Sequence, residues 1–193
     1  MKTTIKKTLL VALMFGTLLG YAKENTEPTN IVEGKRVKVE FKSVKKGQTL
    51  TIKDENGITI HNREIQKNGN FSKVFDLSAL KDGNYTIELN KDFEIIVKSF
   101  KIKSGFVTFL DDSSKLFKPV IRSEDNLIMI SKIAFNKKPL KVILYYNDDV
   151  ILSETLKGGD ILSRVYKLSK NYSGDYKVVV HTDKRMYVND FSI

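Results

Sequence analysis

The sequence predicts an all-β chain built as two tandem β-sandwich domains, and three observations carry that expectation. Short runs alternate apolar and polar residues with the two-residue period of a half-buried strand. Gly, Asn and Asp punctuate those runs where hairpins turn. The chain also repeats itself: a shift of 91 positions aligns residues 44–102 with 135–193 without a gap, giving fourteen identities in 59 pairs. The identities fall at apolar and turn positions, among them Ile52/Ile143, Val74/Val165, Leu77/Leu168, Gly83/Gly174, Tyr85/Tyr176 and Phe100/Phe191. A period this long, seen twice, indicates tandem domains, because solenoid units run about 20–50 residues and need at least three copies.

In order, the expected segments are 1–22, 23–34, 35–102, 103–124 and 125–193. Residues 1–22 read as a cleaved export signal: Lys2, Lys6 and Lys7 precede an uncharged, mostly apolar stretch at 8–20, and the segment closes on Gly20-Tyr21-Ala22, with cleavage after Ala22. Thirteen helical residues cover about 20 Å, short of a bilayer core of about 30 Å, so no membrane span is expected after signal removal. Residues 23–34 form a flexible N-terminal segment. The sequence holds no Cys, so neither an acylated anchor nor a disulfide is available and the fold rests on its hydrophobic cores.

The first sandwich, 35–102, opens with "RVKVEFK", which alternates Val37, Val39 and Phe41 against Arg36, Lys38, Glu40 and Lys42. "TLTIKDENGITIH" reads as a hairpin whose two-residue turn, Asn56-Gly57, supplies positive φ values; Asn147-Asp148-Asp149 takes that place in the second copy. A second hairpin spans "NYTIELNKDFEIIVKSFKI", and "DLSALKDG" reads as one helical turn. Residues 103–124 have no partner in the repeat and contain two strand-like runs around Asp111-Asp112-Ser113-Ser114. In the second sandwich, 125–193, "PLKVILYY" is apolar on both faces, with Val142, Leu144 and Tyr146 on one side and Ile143 and Tyr145 on the other. Glu88 of the first copy becomes Val179. A strand apolar on both faces must be covered on both. Either 103–124 or the first domain lies over the outer sheet, or Val142, Leu144 and Tyr146 centre a surface for a partner.

Gly-x-Tyr entering a strand after a short turn, at Gly83/Tyr85 and again at Gly174/Tyr176, resembles the tyrosine corner of immunoglobulin-like sandwiches. The resemblance implies a tyrosine hydroxyl bonded to upstream backbone, a ring filling the core edge and a glycine at a crowded bend. "LSALKDGNYTIEL…IIVKSFKI" resembles the C-terminal sorting domains that type IX secretion systems recognise and remove. That resemblance implies a small β-sandwich and, for the last domain of this chain, a sorting role.

Chemistry is sparse. The net charge of +10 falls to +7 once the three signal lysines are lost. The lysines are spread along the chain at alternate strand positions, such as Lys38 and Lys42, so they read as a solvated face and no nucleic acid partner is expected. His61 and His181 fall in no catalytic motif and read as surface residues. No nucleophile elbow, phosphate loop or dinucleotide fingerprint occurs. The acidic pairs Asp54-Glu55, Asp111-Asp112 and Asp148-Asp149 sit at hairpin tips, where turn chemistry accounts for them; calcium at Asp111-Asp112-Ser113 is the alternative. The expected protein has no catalytic residue, cofactor or metal. It is an exported structural or interaction module at the cell envelope or outside the cell, binding protein or surface polymer. A sorting domain or a carbohydrate-binding module is the alternative.

Overall fold

Strand β2 (Arg36–Val44) turns Val37, Val39 and Phe41 into the core, and at Ser43, where φ is +52°, a bulge shifts the pleat so that Val44 is buried as well. The computed structural model describes the backbone of residues 30–169 and 173–193, and side chains from Gly34 onward except at 111 and 112. The signal segment, Ala22 and residues 23–29 lie outside the described residues. The end of the segment expected to be flexible, Asn30–Glu33, is instead a strand, β1, paired with β2.

In the first sandwich one sheet orders β1 (Asn30–Glu33), β2 and β5 (Gly69–Asp76). The facing sheet orders β4 (Thr59–Glu64), β3 (Thr49–Asp54), β6 (Gly83–Asn90), β7 (Glu94–Lys103) and β8 (Phe106–Phe117). In the second, β9 (Val120–Glu124), β10 (Leu127–Ile133) and β13 (Ile161–Lys167) face β12 (Asp149–Leu156), β11 (Leu140–Tyr146), β14 (Asp175–Thr182) and β15 (Arg185–Ser192). Every strand pair is antiparallel. Three strands facing five in the first copy and four in the second, with the same connections apart from the added edge strand β8, make an all-β chain of two tandem immunoglobulin-like sandwiches. Each sandwich has its own core, one around Phe41, Leu50, Ile87 and Phe100, the other around Ile128, Leu140, Val142 and Val178. "DLSALKDG" is a single turn, closed by Leu80 N–H donating to the Leu77 carbonyl.

The two copies are not in register at one strand. Leu50 and Ile52 of β3 pair with Leu89 and Ile87, whereas Val142 and Leu144 of β11 pair with Val180 and Val178. The counterparts in β3 and β11 therefore lie 92 residues apart, while those in β6 and β14 lie 91 apart. The turn restores the count. In the first copy Asp54 N–H donates to Ile58 O and Gly57 N–H to Asp54 O, which leaves a three-residue loop with positive φ at Gly57 alone. In the second, Tyr146 pairs directly with Asp149 and both Asn147 and Asp148 have positive φ, a two-residue turn. The expected two-residue turn at Asn56-Gly57 is corrected accordingly, and the aligned identity Ile52/Ile143 joins a core residue to an outward-facing one. A slip of one residue exchanges the faces of a strand.

Residues 103–124 do not lie over the second sandwich. Their backbone needs hydrogen-bond partners and finds them by extension: β8 adds an edge strand to β7, and β9 pairs with β10. Between them Lys118 donates its backbone N–H to Phe93 O and its Nζ to Lys91 O, which pins the connection to the first sandwich. At this junction Phe117 meets Phe135 edge-to-face at 5.8 Å. Glu88, on the outer face of β6, receives Lys53 at 2.8 Å and Arg185 of β15 at 2.6 Å. Burial pushes the Glu88 carboxyl up, but the hydrogen bonds from Lys53 and Arg185 outweigh it and hold the group below the usual glutamate range. In the second sandwich, Lys132 and Asp183 form a buried pair at 2.7 Å, with Asn136 donating to the other carboxylate oxygen.

Candidate binding surfaces

The corner residues occupy matching places. The Tyr85 hydroxyl donates to Lys81 O at 2.8 Å, and its ring stacks on Phe100 at 5.3 Å. Tyr176 stacks on Phe191 at 5.7 Å and is equally buried. The two glycines differ. A Cβ at Gly83 would meet the Tyr85 ring at an ordinary 3.6 Å, so the bend does not require glycine there. At Gly174 the same atom would lie 2.9 Å from both the Tyr146 ring and Asn147 Oδ1, with φ at +157°. Part of the crowding comes from Tyr146, which stands where the first copy has Asp54, opposite the corner tyrosine. Its hydroxyl donates to Ser173 O.

Val142 and Leu144 are 0% and 3% exposed and belong to the core, so they are no surface for a partner; Tyr146, half-buried, packs against the same cluster. The reason is the register shift described above, which puts Val142 and Leu144 where the first copy has Leu50 and Ile52. The outer face of this sheet is instead lined by Ile143, Tyr145, Val179 and Val188, where the first sandwich has Thr51, Lys53, Glu88 and Val97. The contrast between a greasy and a wetted outer face holds, carried by different residues.

At the lateral opening of the second sandwich, between β12 and β13, lies a groove of about 600 Å³ lined mainly by Leu144, Tyr146, Leu152, Val165, Tyr166 and Leu168. Ile151 and Val165 on its rim are 49% and 61% exposed. Both flanking strands are sheet edges with free backbone groups. Further along the same two strands Glu154 accepts hydrogen bonds from Arg164 and from the Tyr166 hydroxyl, the latter at 2.9 Å. Burial and the Glu154 carboxylate push the Tyr166 phenol up to about 12.

Among the described residues no three His, Asp or Glu side chains converge as a metal site would require; the side chains of Asp111 and Asp112 lie outside the described residues. Asp148 pairs with Lys177 at 3.1 Å and Asp175 accepts from Ser192, which are turn and strand-end contacts. His181 is exposed. His61 is not a plain surface residue: it belongs to β4, stands edge-on to the Phe75 ring at 5.5 Å and has its Nε2 sealed from solvent without a hydrogen-bond partner. Burial, then Lys73 and Arg63, lower its pKa. The alternation of "TIHNRE" assigns His61 a face, but β4 is too polar to reveal which face is the inner one.

Fold and surfaces define a tandem immunoglobulin-like β-sandwich protein. Residues 33–103, the first sandwich from β2 to β7, match the family model described as a secretion system C-terminal sorting domain. The chain is an exported protein of the cell surface or extracellular space, weakly related to type IX sorting domains. The match falls on the internal copy, not on the C-terminal copy to which the sequence comparison assigned a sorting role. No curated protein matches the chain. Among solved structures, the BSP domain of a biofilm-associated protein is 16% identical, with 83% of this chain and 27% of that chain covered at a TM-score of 0.28. Native α2-macroglobulin from Escherichia coli, spanning domains MG0-NIE-MG1, is 8% identical over 81% of this chain and 58% of that one, with a TM-score of 0.29. The human OSCAR ligand-binding domain is 10% identical, covering 84% and 92%, with a TM-score of 0.24. The chain thus spans less than two thirds of the first two.

Proposed function

We propose that the protein is a non-catalytic exported binding module whose second sandwich captures an extended segment of a partner protein at the opening between β12 and β13. The observation that carries this reading is the coincidence of an apolar groove of about 600 Å³ with two unpaired strand edges. An extended chain adds main-chain hydrogen bonds along a free edge while alternate side chains enter the groove. The corresponding edge of the first sandwich carries His61, Arg63 and Lys73 and would reject such a segment.

The test uses the labelled exported chain on whole producing cells. Binding should saturate, fall when surface proteins are removed with a protease, and drop at least tenfold in Val165→Glu and Ile151→Lys. Both positions are largely exposed, so the melting temperature should stay within a few degrees of the parent. Unchanged binding of both variants would reject the groove. Binding that survives proteolysis would mean a surface polymer instead of a protein.

A second reading is favoured by the family match over residues 33–103: the first sandwich addresses the chain for export by a type IX route. Deleting 33–103 should then strand the chain in the periplasm, whereas deleting 125–193 should not. Secretion of both truncations at the parental level would remove this reading and leave the binding module standing.

A further inference from the structure

The opening between β4 and β5 in the first sandwich has chemistry opposite to its counterpart in the second. Across β3 and β4, His61 pairs with Ile52 and Arg63 with Leu50; across β2 and β5, Lys73 pairs with Val39 and Phe75 with Val37. Directly paired residues share a sheet face. All four partners are core residues, so His61, Arg63, Lys73 and Phe75 face the seam between the two sheets. Lys73 Nζ lies 5.1 Å from the Phe75 ring centroid, and the His61 ring stands 5.5 Å from it. Among the described residues neither Arg63 nor Lys73 has an acidic partner, and His61 Nε2 makes no hydrogen bond.

The second sandwich shows what this seam accommodates. By the same register, Leu152, Glu154, Arg164 and Tyr166 hold the places of His61, Arg63, Lys73 and Phe75. There the chain supplies its own carboxylate, and Glu154 accepts from Arg164 and Tyr166. In the first sandwich the carboxylate is replaced by Arg63, the arginine by Lys73, and an imidazole is added. Three cationic or proton-donating groups then line one seam, with no carboxylate paired to them among the described residues. Two like charges beside a half-buried histidine are an unfavourable arrangement alone, which an oxyanion relieves; a guanidinium and an ammonium together suit a planar carboxylate or a phosphate.

We propose that the seam between β4 and β5 of the first sandwich binds an oxyanion group, a carboxylate or phosphate of a larger ligand, held by Arg63 and Lys73 with His61 beside them. The site is separate from the groove of the second sandwich and does not depend on it.

The chain has two histidines, so imidazole proton NMR gives two titrating signals, and His181, exposed on β14, is the internal control. The full exported chain is titrated with inorganic phosphate and, in parallel, with glucuronate, at an ionic strength held constant with chloride. A bound anion favours the charged imidazole, so the His61 midpoint should rise saturably, by about half a pH unit or more, while His181 stays still. Arg63→Gln and Lys73→Gln should each reduce the rise at least threefold. Saturation by phosphate alone identifies a phosphate ligand, and by glucuronate alone a carboxylate; either supports the site. A His61 midpoint that follows chloride equally, moves no more than His181, or responds fully in both variants overturns it.

Discussion

The two sandwiches repeat strand order, corner stacking and core position, and they differ on the outer faces and at the rim of the core. On the outer face of the larger sheet, Thr51, Lys53 and Glu88 become Ile143, Tyr145 and Val179. At the lateral seam, Arg63 and Lys73 become Glu154 and Arg164. Below the corner, Asp54 becomes Tyr146. The inner positions are held by the need to fill a close-packed space, while the outer ones are free to acquire separate tasks. Glu88 illustrates one of these: it receives Arg185 from the second sandwich and so ties the copies together, a role Val179 cannot take.

The sharpest test of the face assignment is at β11. Leu144→Ala removes core packing and should destabilise the second sandwich by about 2–5 kcal/mol. Ile143→Ala, on the half-buried outer face, should cost less than about 1 kcal/mol. Chemical denaturation measures both, and equal costs would mean that the strand is apolar-packed on both sides.

The corner glycines should separate next. Gly174→Ala forces a methyl to within 2.9 Å of the Tyr146 ring and should cost about 1–3 kcal/mol. Gly83→Ala should stay within about 0.5 kcal/mol. Calorimetry on both variants reads the difference. Gly174→Ala combined with Tyr146→Asp should recover part of the loss, since Asp stands at that place in the first copy.

The smallest effect concerns the tie between the sandwiches. Glu88 titrates lower in the folded chain than in the unfolded one, so its contribution is present in full above the ordinary glutamate value. It is lost as pH falls through the depressed folded value. Glu88→Gln should cost roughly 1–2 kcal/mol at neutral pH and flatten the acid limb of a plot of melting temperature against pH between about 5 and 3. An unchanged acid limb would show that the junction is held by Phe117 and Phe135 instead.

Much of this architecture was legible in the chain. The pleat of "RVKVEFK" gave correct faces, because alternation with a buried partner set is a local signal. "NYTIELNKDFEIIVKSFKI" was legible as a hairpin, but on its returning strand Ile96, Phe100 and Ile102 meet the core, not the expected Phe93, Ile95 and Val97. At the first corner the Tyr85 hydroxyl bonds upstream backbone as the resemblance implies, but the crowded bend it implies at Gly83 is absent. The face of β11 was not. An ungapped alignment scored Ile52 against Ile143, and a run of apolar residues carries no period from which the slip could be seen. The candidate site was less visible still: His61, Arg63 and Lys73 look like solvated residues on polar strands, and only the opposing sheet shows that they face one seam.

By itself, the order of residues determined the strands, their turns, two cores and a repeated plan, since each depends on neighbours a few positions away. Which β11 face was inward, where 103–124 found its hydrogen bonds, and which charges faced one another across a seam were decided by the tertiary structure. Those features depend on partners tens of residues distant, and for strands the choice of partner sets the register that aims every side chain.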